Sequence, residues 1–383
     1  SLGKNRLRSG SLIFKLNSIG NLIVITLVFG LKLHLSLQFQ ISLDNINNIP
    51  DNNIYFYFFK QNKHFMIYAL NIVWNPSEGI DFGFFMLRFY SLSWVLAFGL
   101  GWYVMKPIFI RENESVDSLD KLFVYTLVAT MLGARLGHVL FYQSELFHED
   151  PLSILLPIST RPTLHFTGFA GLASHGAAIS IILTMFYIQR RVIKRSFLWI
   201  LDRIVIPVSL GAIFIRLGNF VNSEIIGKVT TADSFLAMKF IKGEEYNGPL
   251  GEPAIRAQTQ IQDANQAFTA IATDPQFKTI LDAFPYRYPA QLYEAICYVF
   301  VFAILMFLYW KTEARNKPGY LFGLFLILLW SIRFVVEFFK DSQGGFEKYP
   351  IFNALSTGQW LSIPFIIIGF YFVLKAKEVK PSL

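Results

Sequence analysis

Cysteine is almost missing from this chain: Cys297 is the only one in 383 residues. That excludes an internal disulfide framework and any metal site built on thiolates. Set inside an apolar run, Cys297 reads as packing. Internal repeats are missing too, so neither the paired halves of a transporter nor the stacked units of a solenoid organise the chain. Acidic charge is in deficit, with 26 Asp and Glu against 34 Lys and Arg and a net charge of +8. In a soluble chain that excess would suggest nucleic acid. Here it falls in short loops between apolar runs, the pattern of cytoplasm-facing loops in a membrane protein, and no nucleic-acid partner is expected.

What the chain has is hydrocarbon. With 54% hydrophobic residues, 40 Phe and a mean hydropathy of +0.44, it is too apolar for a soluble domain of this size. The expected class is an all-α membrane protein. Seven candidate spans follow residue 66: Phe85 to Ile110, Leu119 to Tyr142, Thr167 to Gln189, Phe197 to Val221, Gln291 to Trp310, Tyr320 to Phe339 and Gly358 to Leu374. Loops bearing Lys106, Arg111 and Lys121, then Arg190, Arg191, Lys194 and Arg195, then Lys311, Arg315 and Lys317 alternate with basic-poor ones. The basic loops share one side if the first span enters from outside and Leu383 ends inside. Residues 66–222 then carry spans one to four and 291–383 carry spans five to seven with a cytoplasmic tail. Residues 223–290 form an outer insertion between the fourth and fifth spans. Asp274 and Pro275 there can start a helix with Phe277, Ile280, Leu281 and Phe284 on one face, so a small helical head or arm is expected.

Residues 1–65 differ in texture, rich in Asn, Ile and Phe, with patches such as NINNIPDNN and YFYFF. The preferred reading makes Met66 the native start and the leader translated upstream sequence. The other makes it an anchor, because Lys4, Arg6, Arg8 and Lys15 precede the apolar run Gly20 to Leu31.

The stretch from Gly211 to Lys228, GAIFIRLGNFVNSEIIGK, places Arg216, Asn219 and Asn222 on roughly one helix face, with Glu224 just beyond. An Arg at the bilayer centre costs roughly 2.5–3.5 kcal/mol, so a polar group of this kind implies an anionic ligand. Glu224 is a candidate partner for Arg216. Arg333 and Glu337 have ion-pair spacing on a helix, and two arginines on one cavity would neutralise a phosphodiester better than one. His175, beside the small Gly176, has a pKa range suited to accepting a proton near neutrality. Arg135 in GARLGHVLFY can support the site, and Tyr90 can donate to an anionic or ester oxygen. Gln291 and Glu294 in YPAQLYE, and Gln359 in LSTGQWLSIP, stand where the chain re-enters the membrane and can satisfy helix ends. Asp202 and Arg203 read as paired interfacial charges outside the site. The residues alone support an outward-facing intramembrane site for an anionic lipid or solute, with a transporter or lipid-binding protein as the alternative.

RLGNFVNSEIIG resembles the signature of the prolipoprotein diacylglyceryl transferases. GARLGHVLFY, the SHG of Ser174 to Gly176, PAQLYEA, IRFVVEFFK and LSTGQWLSIP follow the same family's order. The resemblance implies seven transmembrane helices with a periplasmic head in a bacterial inner membrane, and no metal or cofactor. It implies transfer of the diacylglyceryl group of phosphatidylglycerol to the lipobox cysteine in the signal peptide of a preprolipoprotein, giving a thioether and glycerol phosphate. Arg216 and Arg333 would then bind the lipid phosphate and stabilise the leaving charge, with His175 as base. Asn219, Asn222, Glu224, Gly227, Gln291, Glu294 and Glu337 would shape the pocket with Arg135 and Gly176, and Tyr90 would orient the head group.

Two departures stand out. Ala177 replaces a second Gly after the HG pair, at little cost. Tyr288 replaces a His before the Pro of the PSQLYE pattern, which leaves His175 as the only His at a matching position.

Overall fold

The structure, a computed structural model, describes residues 72–83, 86–156, 158–161, 163–166, 171, 173–342 and 353–378. The leader, and with it the choice of Met66 as start, lies outside the described residues.

Long apolar helices dominate: α1 (Phe89–Arg111), α2 (Val116–Tyr142), α3 (Ser174–Ile188), α4 (Phe197–Val221). After an insertion come α8 (Ala290–Lys311), α9 (Tyr320–Val336) and α10 (Thr357–Lys375). Among the described residues, six helices are long and apolar enough to cross a membrane; α9, at 17 residues, is shorter. The third expected span began at Thr167, but the helix begins at Ser174. A short antiparallel pair, β4 (Ile158–Ser159) and β5 (His165–Phe166), precedes it.

Local chemistry sets several helix starts. Ser115 accepts from the backbone N–H of Ser118 before α2, and Ser196 accepts from Trp199 before α4. Ser356 and Gln359 cap one another's backbone before α10. Helix pairs then close where side chains are small. A Cβ on Gly137 would lie 2.6 Å from the Cα of Gly176, so α2 and α3 touch backbone to backbone. Gly323 and Gly369 bring α9 and α10 equally close. An apolar core including Phe109, Leu119, Ile188, Ile206, Leu305 and Leu321 fills the remaining space.

The insertion is not purely helical, as the sequence had suggested. It carries α5 (Glu252–Thr259), α6 (Ala264–Thr273) and α7 (Lys278–Ala283). It also carries strands β6 (Val229–Thr230), β7 (Met238–Phe240) and β8 (Tyr286–Arg287). These join β1 (Ile72–Trp74) in a sheet ordered β1-β7-β8-β6, with β1 parallel to β7. A two-stranded ribbon, β2 (Gly79–Asp81) and β3 (Met86–Arg88), leads from β1 into α1. Strands of two or three residues, with β1 and β7 paired across 166 positions, leave no periodic trace in the sequence. The Asp274 cap forms as expected, its carboxylate accepting from Gln276 N–H with Pro275 next in line. Ile255, Phe268, Ile271 and Phe284 make a separate small core, with Phe277, Ile280 and Leu281 packed on its edge.

Candidate functional site

Antiparallel connections bring three segments to one end of the bundle: the end of α4, the start of α8 and the end of α9. Backbone stitching holds them. Gly227 N–H donates to the Tyr288 carbonyl (2.9 Å), Lys228 N–H to that of Phe339 (2.8 Å) and Asp341 N–H to that of Ile226 (3.2 Å). Gly227 forms a bridge with Lys340. The close approach demands glycine, because a Cβ at 227 would lie 2.3 Å from the Tyr288 carbonyl oxygen and 2.7 Å from that of Phe339. Arg287 clamps the same junction, binding Glu244 (2.7 Å) and Asp341 (3.0 Å). Its guanidinium pKa is raised above the ordinary value: burial acts against the charge, and the bonds from these carboxylates outweigh it.

Inside this junction Arg216 forms an ion pair with Glu294 and donates to Asn219 Oδ1 (3.3 Å). Asn219 donates to Glu224 Oε2 (2.9 Å), and Asn222 to Glu224 Oε1 (3.1 Å). The side chain of Gln291 donates to the Glu224 carbonyl. The partner of Arg216 is therefore Glu294, and Glu224 is linked to it only through Asn219. The cause is the turn after α4, where Ser223 (φ 55°) and Ile225 (φ 57°) are left-handed and carry Glu224 off the helix face. Tyr298, one turn beyond Glu294, is buried within electrostatic reach of Arg216 and Arg333.

The expected Arg333–Glu337 pair does not form. Glu337 pairs instead with Lys340, at 3.6 Å. Arg333 lies 5.4 Å from the Trp330 ring and, among the described residues, makes no side-chain hydrogen bond or ion pair. Among the described residues, Arg333 Nε, Gln291 Oε1 and Ser223 Oγ are buried here without a hydrogen-bond partner, and Glu337 Oε2 has its ion pair with Lys340 but no hydrogen bond. Leaving such groups unpaired costs about 1–3 kcal/mol each. Their clustering beside two arginines marks a surface suited to an anionic, hydrogen-bonding ligand.

Sequence reasoning passed over Lys340 and Tyr298. Lys340 is 8% exposed, and its charge is felt alongside Glu337, Arg333, Glu294 and Arg216. Burial holds its ammonium pKa below the ordinary 10.5. It closes the IRFVVEFFK stretch, where a terminal lysine reads as a solvated helix end.

The other candidates stand nearby or apart. Tyr90 packs with Ser93 against Gly218, two positions along α4 from Arg216. His175 is at the start of α3, its ring 4.9 Å from Phe141 and 5.9 Å from Tyr142. No contact among the described residues joins it to the arginines. Arg135 donates to the Ser153 (2.7 Å) and Ile154 (3.1 Å) carbonyls, holding the loop after α2. Gly176 serves the α2–α3 contact, and Gln359 the α10 cap.

Asp202 and Arg203 lie at the opposite end, about 20 Å from Arg216 along α4. Asp202 accepts from Gly319 (2.7 Å) and Phe322 (2.9 Å) N–H at the start of α9. Arg203 binds Glu112 (2.8 Å), which also takes the Tyr309 hydroxyl (2.9 Å). Both charges are partnered, which agrees with their reading as paired charges.

A model of the prolipoprotein diacylglyceryl transferase family matches residues 78–375. Phosphatidylglycerol–prolipoprotein diacylglyceryl transferases of Tolumonas auensis and Bacteroides fragilis are each 35% identical to the chain. The match covers 81% of this chain in both cases, with 99% and 98% of the respective relatives. The Porphyromonas gingivalis protein of the same name is also 35% identical, over 76% of this chain and 91% of its own length.

Proposed function

The chain belongs to the prolipoprotein diacylglyceryl transferase family, and from that membership we propose how its polar end carries out the family's reaction. It is a transferase of lipoprotein biosynthesis that moves the diacylglyceryl unit of phosphatidylglycerol to a prolipoprotein. The acceptor in this proposal is the lipobox cysteine of the preprolipoprotein signal peptide. The setting is a bacterial inner membrane crossed seven times, α9 included, with the site and the 223–290 head on the periplasmic side.

The thiolate sulfur attacks the glyceryl carbon bonded to the phosphate oxygen. The C–S bond forms as the C–O bond breaks, and the electron pair leaves on the phosphate of glycerol phosphate. Arg333 and Arg216 lower the barrier by holding the phosphodiester while charge gathers on the leaving oxygen. Glu294 and Asn219 fix the guanidinium of Arg216, so little reorganisation is needed at the moment of transfer. Glu224, Asn222, Gln291, Glu337 and Gly227 shape the pocket, and Tyr90 orients the head group. A free thiol is only a few per cent ionised at neutral pH, and His175 is the group assigned to take its proton. Arg135 and Gly176 act more remotely, fixing the α2–α3 region that carries His175.

The observation that carries this reading is the guanidinium of Arg333, uncommitted among the described residues, with Gln291 Oε1 and Ser223 Oγ also buried without a hydrogen-bond partner. The test uses purified protein in liposomes with phosphatidylglycerol and a lipobox peptide. A cysteine-dependent mass gain of one diacylglyceryl unit with release of glycerol phosphate is expected, and Arg333→Ala should abolish it. Lipid binding without transfer to a competent peptide would overturn the reading.

A further inference from the structure

Three cations and three carboxylates meet at the polar end: Arg216, Arg333 and Lys340 against Glu224, Glu294 and Glu337. Arg216 is taken by Glu294, and Glu224 by the amides of Asn219 and Asn222. Glu337 follows Arg333 by four residues, the spacing at which a guanidinium and a carboxylate commonly pair on a helix. Its cation is nevertheless Lys340, 3.6 Å away, and both side chains are about nine-tenths buried (8% and 10% exposed).

Two backbone features impose this choice. α9 ends at Val336, and the chain then turns into the bridge between Lys340 and Gly227, which directs Lys340 inward instead of to the surface. On the other side, a Cβ on Gly358 would lie 2.4 Å from Glu337 Cδ, so the carboxylate rests on the first turn of α10. The amide dipoles there favour an anion. Glu337 is thus held from two directions, neither of them involving Arg333.

We propose that Lys340 is a positioning residue for the transfer reaction: by engaging Glu337 it keeps the Arg333 guanidinium uncommitted and free to receive the phosphodiester of the anionic lipid. This rests on the reaction assigned above. Without Lys340, Glu337 would be a buried carboxylate lacking a cation, and Arg333 is four residues away on the same segment. The lipid phosphate would then compete with an internal carboxylate for Arg333.

The experiment compares Lys340→Met, Lys340→Arg and the double variant Lys340→Met/Glu337→Gln in liposomes. Two readouts are taken: transfer kinetics, and the rate at which phenylglyoxal modifies Arg333, followed by peptide mass. Lys340→Met is expected to raise KM for phosphatidylglycerol about tenfold, the scale of one partly buried charge contact, with a smaller change in kcat, and to slow labelling of Arg333. Lys340→Arg should restore both. The double variant should regain Arg333 labelling relative to Lys340→Met, because no carboxylate is left to capture Arg333. If Arg333 labels as slowly in the double variant as in Lys340→Met, or labelling is the same in Lys340→Met as in the parent, Lys340 is merely structural and the proposal fails. Labelling that follows the expected pattern in a parent protein that transfers nothing would instead reject the assigned reaction.

Discussion

Arg216 on α4 is paired with Glu294 on α8, not with Glu224, which follows it eight positions along its own chain. The pair crosses between two helices at 12% and 4% side-chain exposure. It ties the geometry of the proposed anion site to the packing of the bundle.

Breaking that pair should therefore cost both fold and function. Arg216→Ala leaves the Glu294 carboxylate buried without its cation, a loss of about 3–5 kcal/mol. It also removes about 100-fold or more of the rate with the phosphate clamp. Adding Glu294→Gln should recover thermal stability without recovering turnover, as unfolding curves and the peptide-mass assay would show. Recovery of both would mean that Arg216 matters only structurally.

Gly227→Ala tests the junction itself. The added methyl meets two carbonyl oxygens of the backbone, and relief requires separating segments 226–228, 286–288 and 339–341. Overpacking of this kind costs about 1–3 kcal/mol. Activity is expected to fall far more than the melting temperature, because the arginines and Glu294 ride on the segments that move.

His175→Gln, in protein whose unfolding curve is unchanged, should lower turnover about 100-fold or more if the imidazole takes the thiol proton. Near-normal turnover would remove His175 as the base. Stabilisation of the leaving charge by the arginines would then account for the chemistry alone.

Acid should loosen the loop after α2. Asp150 is held below its ordinary pKa of 3.8 chiefly by the Thr160 N–H, with help from the Thr160 and Ser159 hydroxyls. A depressed carboxylate stabilises the fold fully above that ordinary value and loses its contribution as pH falls through the lowered one. Hydrogen exchange of residues 150–160, corrected for intrinsic rates, should accelerate below about pH 4 in the parent. Asp150→Asn should already show fast exchange at neutral pH and no such step.

At the other end of the bundle, Asp202→Ala removes the acceptor for two backbone N–H groups, at about 1–3 kcal/mol each. The melting temperature should drop while turnover per folded molecule stays unchanged. A selective loss of turnover would show that the two ends are coupled.

Much of the polar cluster of the candidate site was legible in the sequence. Asn219, Asn222 and Glu224 follow Arg216 at intervals that hydrocarbon does not tolerate without cause, and the structure joins all four in one hydrogen-bonded group. Spacing along one helix offers only near neighbours, so it points Arg216 to Glu224 and Arg333 to Glu337. Glu294 reaches Arg216 from another helix, and Lys340 reaches Glu337 because a bridge turns the chain. The insertion's strands escaped notice for the same reason: β1 and β7 pair over a distance no local pattern encodes.

By itself, then, the sequence determined the helical membrane class, the order of the apolar segments and the motifs of the family, since these depend on hydropathy and local spacing. Tertiary structure alone decided which carboxylate neutralises which cation, that Arg333 is left uncommitted and that Lys340 is buried among them. Those outcomes depend on contacts between segments distant in the chain, where ion pairs form between whichever groups the packed backbone brings within reach.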